Sequence, residues 1–132
     1  MNNFYKFGII ILIALFGFWF FNQKSTTVSA SHQTGDLAPI ENGKQIVKMT
    51  ASYSGYSPNR ITIKAGVPVV WQILSSGNAG CASVIVAPSI FSDMIVLTPD
   101  TVTTKEFTIT SLGNYRFSCS MGMFSGSFEV IN

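Results

Sequence analysis

With 132 residues the chain is long enough for one domain with a real core and too short for two comfortable ones. Phe, Val, Ile and Thr dominate its second half while Ala, Glu, Lys and Leu are scarce, a balance that favours strands over helices. Lys6 and Lys24 flank the first apolar run, and beyond Ala30 cations and acids balance, which excludes a basic footprint for nucleic acid or a polybasic patch for anionic lipid.

Phe7 to Phe21 is apolar without interruption, follows Lys6, and gives way to the polar stretch Asn22 to Ser25. Such a run is a targeting element. Its length lies between a signal-peptide core and the roughly 20 residues that span a bilayer, so residues 1–24 are expected to be a signal peptide or a membrane-anchor helix. Val28-Ser29-Ala30 has the small residues of a signal peptidase site, although it sits far from the apolar run. Cleavage and retention both stay open, and either puts the rest of the chain outside the cytoplasmic membrane, where a cysteine pair can be oxidised. Residues 25–43, Ser/Thr/Gln/Gly-rich with Pro39 and no periodicity, read as a flexible linker ahead of a domain over 44–132.

Short β-type runs with turn signals between them follow. Gln45 to Ala51 is the first predicted strand. Ser57-Pro58-Asn59 then turns the chain into Arg60 to Lys64, where Ile61 and Ile63 alternate with Arg60, Thr62 and Lys64. Pro68 to Leu74 is apolar on both faces and is predicted to be a central strand with Pro68 at its first position. Ser75 to Gly80 is a loop, Ser83 to Ala87 a short strand, and Pro88 to Asp100 a longer, mixed excursion. Thr104 to Thr110 alternates Phe107 and Ile109 against Glu106 and Thr108. Gly113 to Cys119 alternates more cleanly, with Tyr115, Phe117 and Cys119 on one face, so Cys119 falls on the core side at its strand's end. In the last strand, Ser127 to Ile131, Phe128 and Val130 point inward. Strands in this number, without an amphipathic helix or repeat, predict an all-β, Greek-key β-sandwich.

Catalysis finds no support. The only histidine, His32, lies in the linker, so no Ser-His-Asp or Cys-His arrangement can be assembled inside the domain. The acids are scattered over polar faces and turns, and no Gly-rich loop opens a helix to cradle phosphate. Sulfur is another matter. Cys119-Ser-Met121-Gly-Met123 sets one thiolate and two thioethers on a Gly-containing loop, and Cys81 follows the flexible Ser76 to Gly80. Thiolate with thioether is the donor set that selects copper(I), whereas zinc takes Cys, His and carboxylates.

Ser57-Pro-Asn-Arg-Ile-Thr-Ile-Lys-Ala-Gly-Val-Pro-Val-Val-Trp71, Gly80-Cys81, Gly113-Asn-Tyr-Arg-Phe-Ser-Cys-Ser-Met-Gly-Met123 and Gly126-Ser-Phe-Glu-Val130 resemble, in order, the segments of a cupredoxin. The resemblance spans roughly Lys44 to Asn132, and its most specific piece is the Gly-x-Tyr-x-Phe-x-Cys strand with the Met-bearing loop. It implies that the first histidine ligand of a blue copper site is replaced by Cys81, that Cys119 holds the cysteine position, and that the second histidine has no counterpart. Met121 and Met123 are left as candidates for the remaining positions. Without imidazole a blue centre loses its means of stabilising copper(II), so long-range electron transfer is not expected. The chain resembles more closely the cupredoxin-like domains, alone or attached to metal-transport proteins, in which Gly-Cys and Cys-x-Met-Gly-Met replace the histidines. That implies an extracytoplasmic copper(I)-binding protein for storage, delivery or sequestration, working with a copper-transport or copper-receiving partner.

Blander readings stand beside this one. Cys81 and Cys119 also suit a structural disulfide, which for a loop of this length stabilises a fold by about 4 kcal/mol in the chain-entropy account. The methionines also suit gap filling or a soft partner surface. Tyr53, Tyr56, Trp71, Tyr115 and Phe117 read as core and strand packing, Met49 and Met94 as core or strand residues, and His32 as a solvated linker side chain.

Overall fold

The computed structural model describes residues 37–132. The signal or anchor segment over 1–24, most of the linker and His32 lie outside the described residues. Ten strands and one 3-10 helix follow in chain order: β1 Ile40–Glu41, β2 Lys44–Ser52, β3 Gly55–Ser57, β4 Arg60–Lys64, β5 Val69–Ser75, the 3-10 helix Gly80–Ser83, β6 Val84–Val86, β7 Met94–Val96, β8 Val102–Phe107, β9 Gly113–Cys119 and β10 Ser125–Ile131. One sheet runs β1-β2-β5-β8 with β3 beside β2, and the other runs β4-β10-β9-β6-β7. The chain changes sheet after β3, β4, β5, β7 and β8, which is the crossing pattern of the sandwich the sequence predicts. Two parallel pairs, β2 with β5 and β4 with β10, follow from these crossings.

Alternation builds the core. Gln45, Val47, Met49 and Ala51 of β2 and Val69, Trp71, Ile73 and Ser75 of β5 face inward from the first sheet. Phe117 and Cys119 of β9 and Phe128 and Val130 of β10 face them from the second. Trp71 sits at the centre, its ring 4.9 Å from Phe117 and 5.0 Å from Phe128, edge-on to both, with Phe107 at 6.3 Å. Edge-to-face contacts of this kind are worth about 0.5–1.5 kcal/mol each beyond the area they bury. Gly126 lets this packing close: a Cβ there would lie 2.6 Å from the Asn59 carbonyl oxygen and would overlap the Phe117 ring. Gln45, fully buried, is satisfied on both sides of its amide. Its Nε2 donates to the Lys64 and Val67 carbonyls at 3.1 Å each, and its Oε1 accepts from the Lys64 N–H at 2.6 Å, pinning the β4–β5 turn to β2.

Several expectations are corrected. Leu37 to Gly43 is not linker: Leu37 bridges to Thr62, Ala38 is buried, and Ile40 and Glu41 pair with Gln45 and Lys44. The polar composition hid a segment that pairs through its backbone and also places Ala38 in the core. Tyr53 is 81% exposed because it occupies the tight turn between β2 and β3, where a side chain has only solvent to face. For Met94 the strand half of the core-or-strand expectation holds: it lies on β7, 62% exposed because Ile95 takes the inward position. The strand expected over Thr104 to Thr110 runs from Val102 to Phe107, paired with β5 from Leu74 back to Val69. The ladder ends there because Pro68 has no N–H to continue it.

Candidate metal centre

Cys119 closes β9, inward-facing by the strand's alternation and only 1% exposed. Its strand is held on one side by β10 and on the other by β6, where it pairs with Ile85. The chain then turns tightly over residues 120–124. The Cys119 N–H donates to the Phe124 carbonyl at 2.9 Å and the Gly122 N–H to the Cys119 carbonyl at 2.9 Å. Gly122 has φ +75, a conformation that glycine enters without the Cβ penalty. Cys81 arrives from the opposite side on the 3-10 helix Gly80–Ser83. That helix is seated by the buried Ala79 and Ala82, and its start is tied down by the Asn78 Oδ1, which accepts from the Gly80 N–H at 3.0 Å.

The two sulfurs meet. Cys81 Sγ lies 2.7 Å from Cys119 Sγ, and both cysteines are free thiols. They stand 38 residues apart in sequence. Burial pushes the Cys119 thiol up, but a hydrogen bond with Cys81 and the main-chain N–H groups of Phe124, Met121 and Met123 outweigh it, bringing the group down to about 7. The Phe124 N–H donates to Cys119 Sγ at 3.4 Å. Cys81 moves the other way: its hydrogen bond to Cys119, desolvation and the neighbouring negative charge raise it, against partial relief from the Met121 and Met123 amides. The pair therefore favours one thiolate, on Cys119, beside one thiol.

Met121 and Met123 lie on the loop as read, but the structure separates their two ends. Their amides serve the sulfurs, while their side chains are 76% and 69% exposed. Tyr56, read as packing only, contributes more. It stacks at a tilt on Phe117, with centroids 5.5 Å apart, and its hydroxyl donates to the Ala82 carbonyl at 3.4 Å. Its phenol is pushed up by burial and then by the charges of Cys119 and Cys81, so the hydroxyl sits within electrostatic reach of both sulfurs. Nothing in the residue pattern distinguishes it from Tyr53. Main-chain donors, likewise, carry no residue-type signal at all.

No group of three or more His, Cys, Asp or Glu gathers among the described residues. Among the described residues the donors at this rim are two cysteine sulfurs and the adjacent thioethers. That set suits a soft, low-coordinate ion and lacks the imidazole and carboxylate that zinc or copper(II) centres use.

The family model described as the cupredoxin-like domain matches residues 9–130. Among solved structures, the metal-binding domain of the Cu(I)-exporting P-type ATPase CopA of Streptococcus pneumoniae D39, with Cu(I), superposes with a TM-score of 0.68 at 28% identity, covering 73% of this chain and 94% of that one. A copper-binding protein in its apo form, solved in solution, gives 0.68 and 28%, covering 74% and 97%. The periplasmic domain of cytochrome oxidase subunit II of Bradyrhizobium japonicum shares the fold alone, at 0.53 and 13% over 72% of this chain and 88% of that one. No curated protein matches the chain.

Proposed function

The chain belongs to the cupredoxin-like domain family, and from that membership we propose that it binds copper(I) outside the cytoplasmic membrane and hands it on. Cys81 and Cys119 are the principal ligands, and Met121 or Met123 completes the site. The observation that carries the reading is the contact of the two cysteine sulfurs at the rim, 2.7 Å apart, beside a loop whose methionine side chains are open to solvent. With the Cys119 thiolate already held by main-chain donors, the pair releases only the Cys81 proton, to solvent, to present two negative sulfurs to a monovalent soft ion. Exposed thioethers then give a partner's sulfur ligands a place to enter, so that copper passes by ligand exchange without being released to water. The similarity to the CopA domain with Cu(I) and to the apo copper-binding protein supports the choice of metal. The apolar segment Phe7 to Phe21 supports an exported or membrane-tethered location.

The same sulfur contact favours a second reading, a metal-free domain stapled by a Cys81–Cys119 disulfide. An anaerobic competition titration against a copper(I) chromophore separates the two. Wild type is expected to take the metal, Cys81→Ser and Cys119→Ser to lose most of the affinity, and Met121→Leu or Met123→Leu to lose part of it. Equal affinity across all five proteins would place the site elsewhere. Fully reduced protein that takes up no copper would leave the disulfide. Intense blue colour with reversible copper(II) cycling would instead assign electron transfer.

A further inference from the structure

On the outer face of the second sheet, opposite to the face into which Cys119 is buried, a cleft of about 300 Å³ is lined by Arg60, Arg116, Asn59, Asn114, Ser125 and Ser127. We propose that this cleft binds a phosphate group, held between the Arg60 and Arg116 guanidinium groups. The proposal does not rest on the copper reading.

The register builds the site. Ser127 of β10 is opposite Arg60 of β4 on one side and Arg116 of β9 on the other, so the three share one row and one face. The arginines are thus two strand spacings apart, about 10 Å between Cα atoms, with only a serine between them. Like charges on one row repel unless an anion sits among them. The ion pairs among the described residues are made elsewhere, Lys44 with Glu106 at 3.1 Å and Lys105 with Asp93 at 2.6 Å. Among the described residues neither arginine side chain has an ion pair or hydrogen bond. Glu129 is, among the described residues, the carboxylate of the neighbouring row on β10, opposite Thr62 and Asn114, and it bonds neither arginine.

The lining selects the ligand class. Guanidinium forks, the Asn59 and Asn114 amides and the Ser125 and Ser127 hydroxyls all offer donors. A carboxylate fills one arginine fork with its two oxygens, whereas a phosphate has the oxygens to meet both forks at once and the charge to balance both cations. Two arginines fall well short of a polybasic lipid patch, but a lipid headgroup and a free phosphate present the same group, and either source fits.

The test uses the full chain in a non-ionic detergent, titrated with inorganic phosphate at constant ionic strength while backbone amide and arginine side-chain resonances are followed by NMR. Saturable shifts are expected at residues 59–60, 114–116 and 125–127, weakened about tenfold or more by Arg60→Gln or Arg116→Gln, as loss of a charge-assisted fork requires. Glu129→Gln is expected to tighten binding severalfold by removing the local competing charge. Shifts reproduced by chloride, equal shifts with succinate, or a response untouched by both arginine substitutions would overturn the proposal. Thermal unfolding of each variant separates loss of binding from loss of fold. Nanodiscs identify the source: arginine-dependent shifts at the same residues in phosphatidylglycerol discs without added phosphate assign a lipid headgroup, and shifts seen only with inorganic phosphate assign the free anion.

Discussion

The aromatic centre and the sulfur rim of the sandwich are built from the same strand and obey different rules. Phe117 and Cys119 are neighbours on the inner face of β9, both 1% exposed. Phe117 is surrounded by Trp71, Tyr56 and Phe128 and answers only to shape. Cys119 is surrounded by donors, the Cys81 sulfur and three main-chain amides, and answers to charge. Equal burial therefore predicts unequal sensitivity: the centre should carry stability and the rim should carry chemistry.

Trp71→Ala is the hardest blow to that division, with an expected loss of about 3–5 kcal/mol, the range for emptying a large aromatic site. Against a domain stability of roughly 5–15 kcal/mol, that change alone threatens folding. Denaturant unfolding of the reduced, metal-free protein measures it, and a loss below about 1 kcal/mol would show that the centre is not the keystone. Gly126→Ala should follow, at about 1–3 kcal/mol, because its new methyl must displace the Phe117 ring or the Asn59 carbonyl. A companion Phe117→Leu substitution should recover part of the loss by making room, and no recovery would mean that the backbone contact dominates.

At the rim the expected effect is on protonation. Ultraviolet thiolate absorbance of the reduced protein should show one sulfur titrating with a midpoint of about 7 and the other well above it. Cys81→Ala should raise the Cys119 midpoint, because the hydrogen bond that favours its thiolate is lost. The sign for stability follows from the folded value lying below the unfolded one. Ionised Cys119 stabilises the fold fully above the ordinary thiol range, and that contribution disappears as pH falls through about 7. Stability of the reduced wild type that is flat between about pH 7 and the ordinary thiol value of 9.0, or that rises just as steeply in Cys119→Ala, would contradict it. The smallest stability effect should be that of Met121→Leu with Met123→Leu, within about 0.5 kcal/mol, since both side chains are solvent-exposed. Their copper(I) affinity should fall nonetheless, reversing the order of the two regions.

Much of this division is legible in the residues. The alternation of Gly113 to Cys119 and of Arg60 to Lys64 predicts β9 and β4 with their observed bounds, and for β9 its faces as well, whereas Thr62, read on the open face of β4, is buried. Side-chain period is intrinsic to a strand, so no tertiary information is needed to read it. The strands that escaped, β1, β3 and β7, are two or three residues long, too short to display a period. The sulfur pair and the Met-bearing loop are visible as residue types. The exposure of the thioethers is not, because the side chains of a turn are oriented by the turn and not by their own polarity.

The order of residues, by itself, determined which chemistry the chain can attempt: a neutral β-sandwich whose soft donors are cysteine and methionine and which keeps no histidine in the domain. Tertiary structure alone decided that Cys81 touches Cys119 across 38 residues, that loop amides favour charge on one sulfur over the other, and that Arg60 and Arg116 face each other over Ser127. The physical reason is common to all three. Residue type sets what a group can donate or accept, but distance and orientation between groups far apart in sequence exist only once two sheets and their registers have closed.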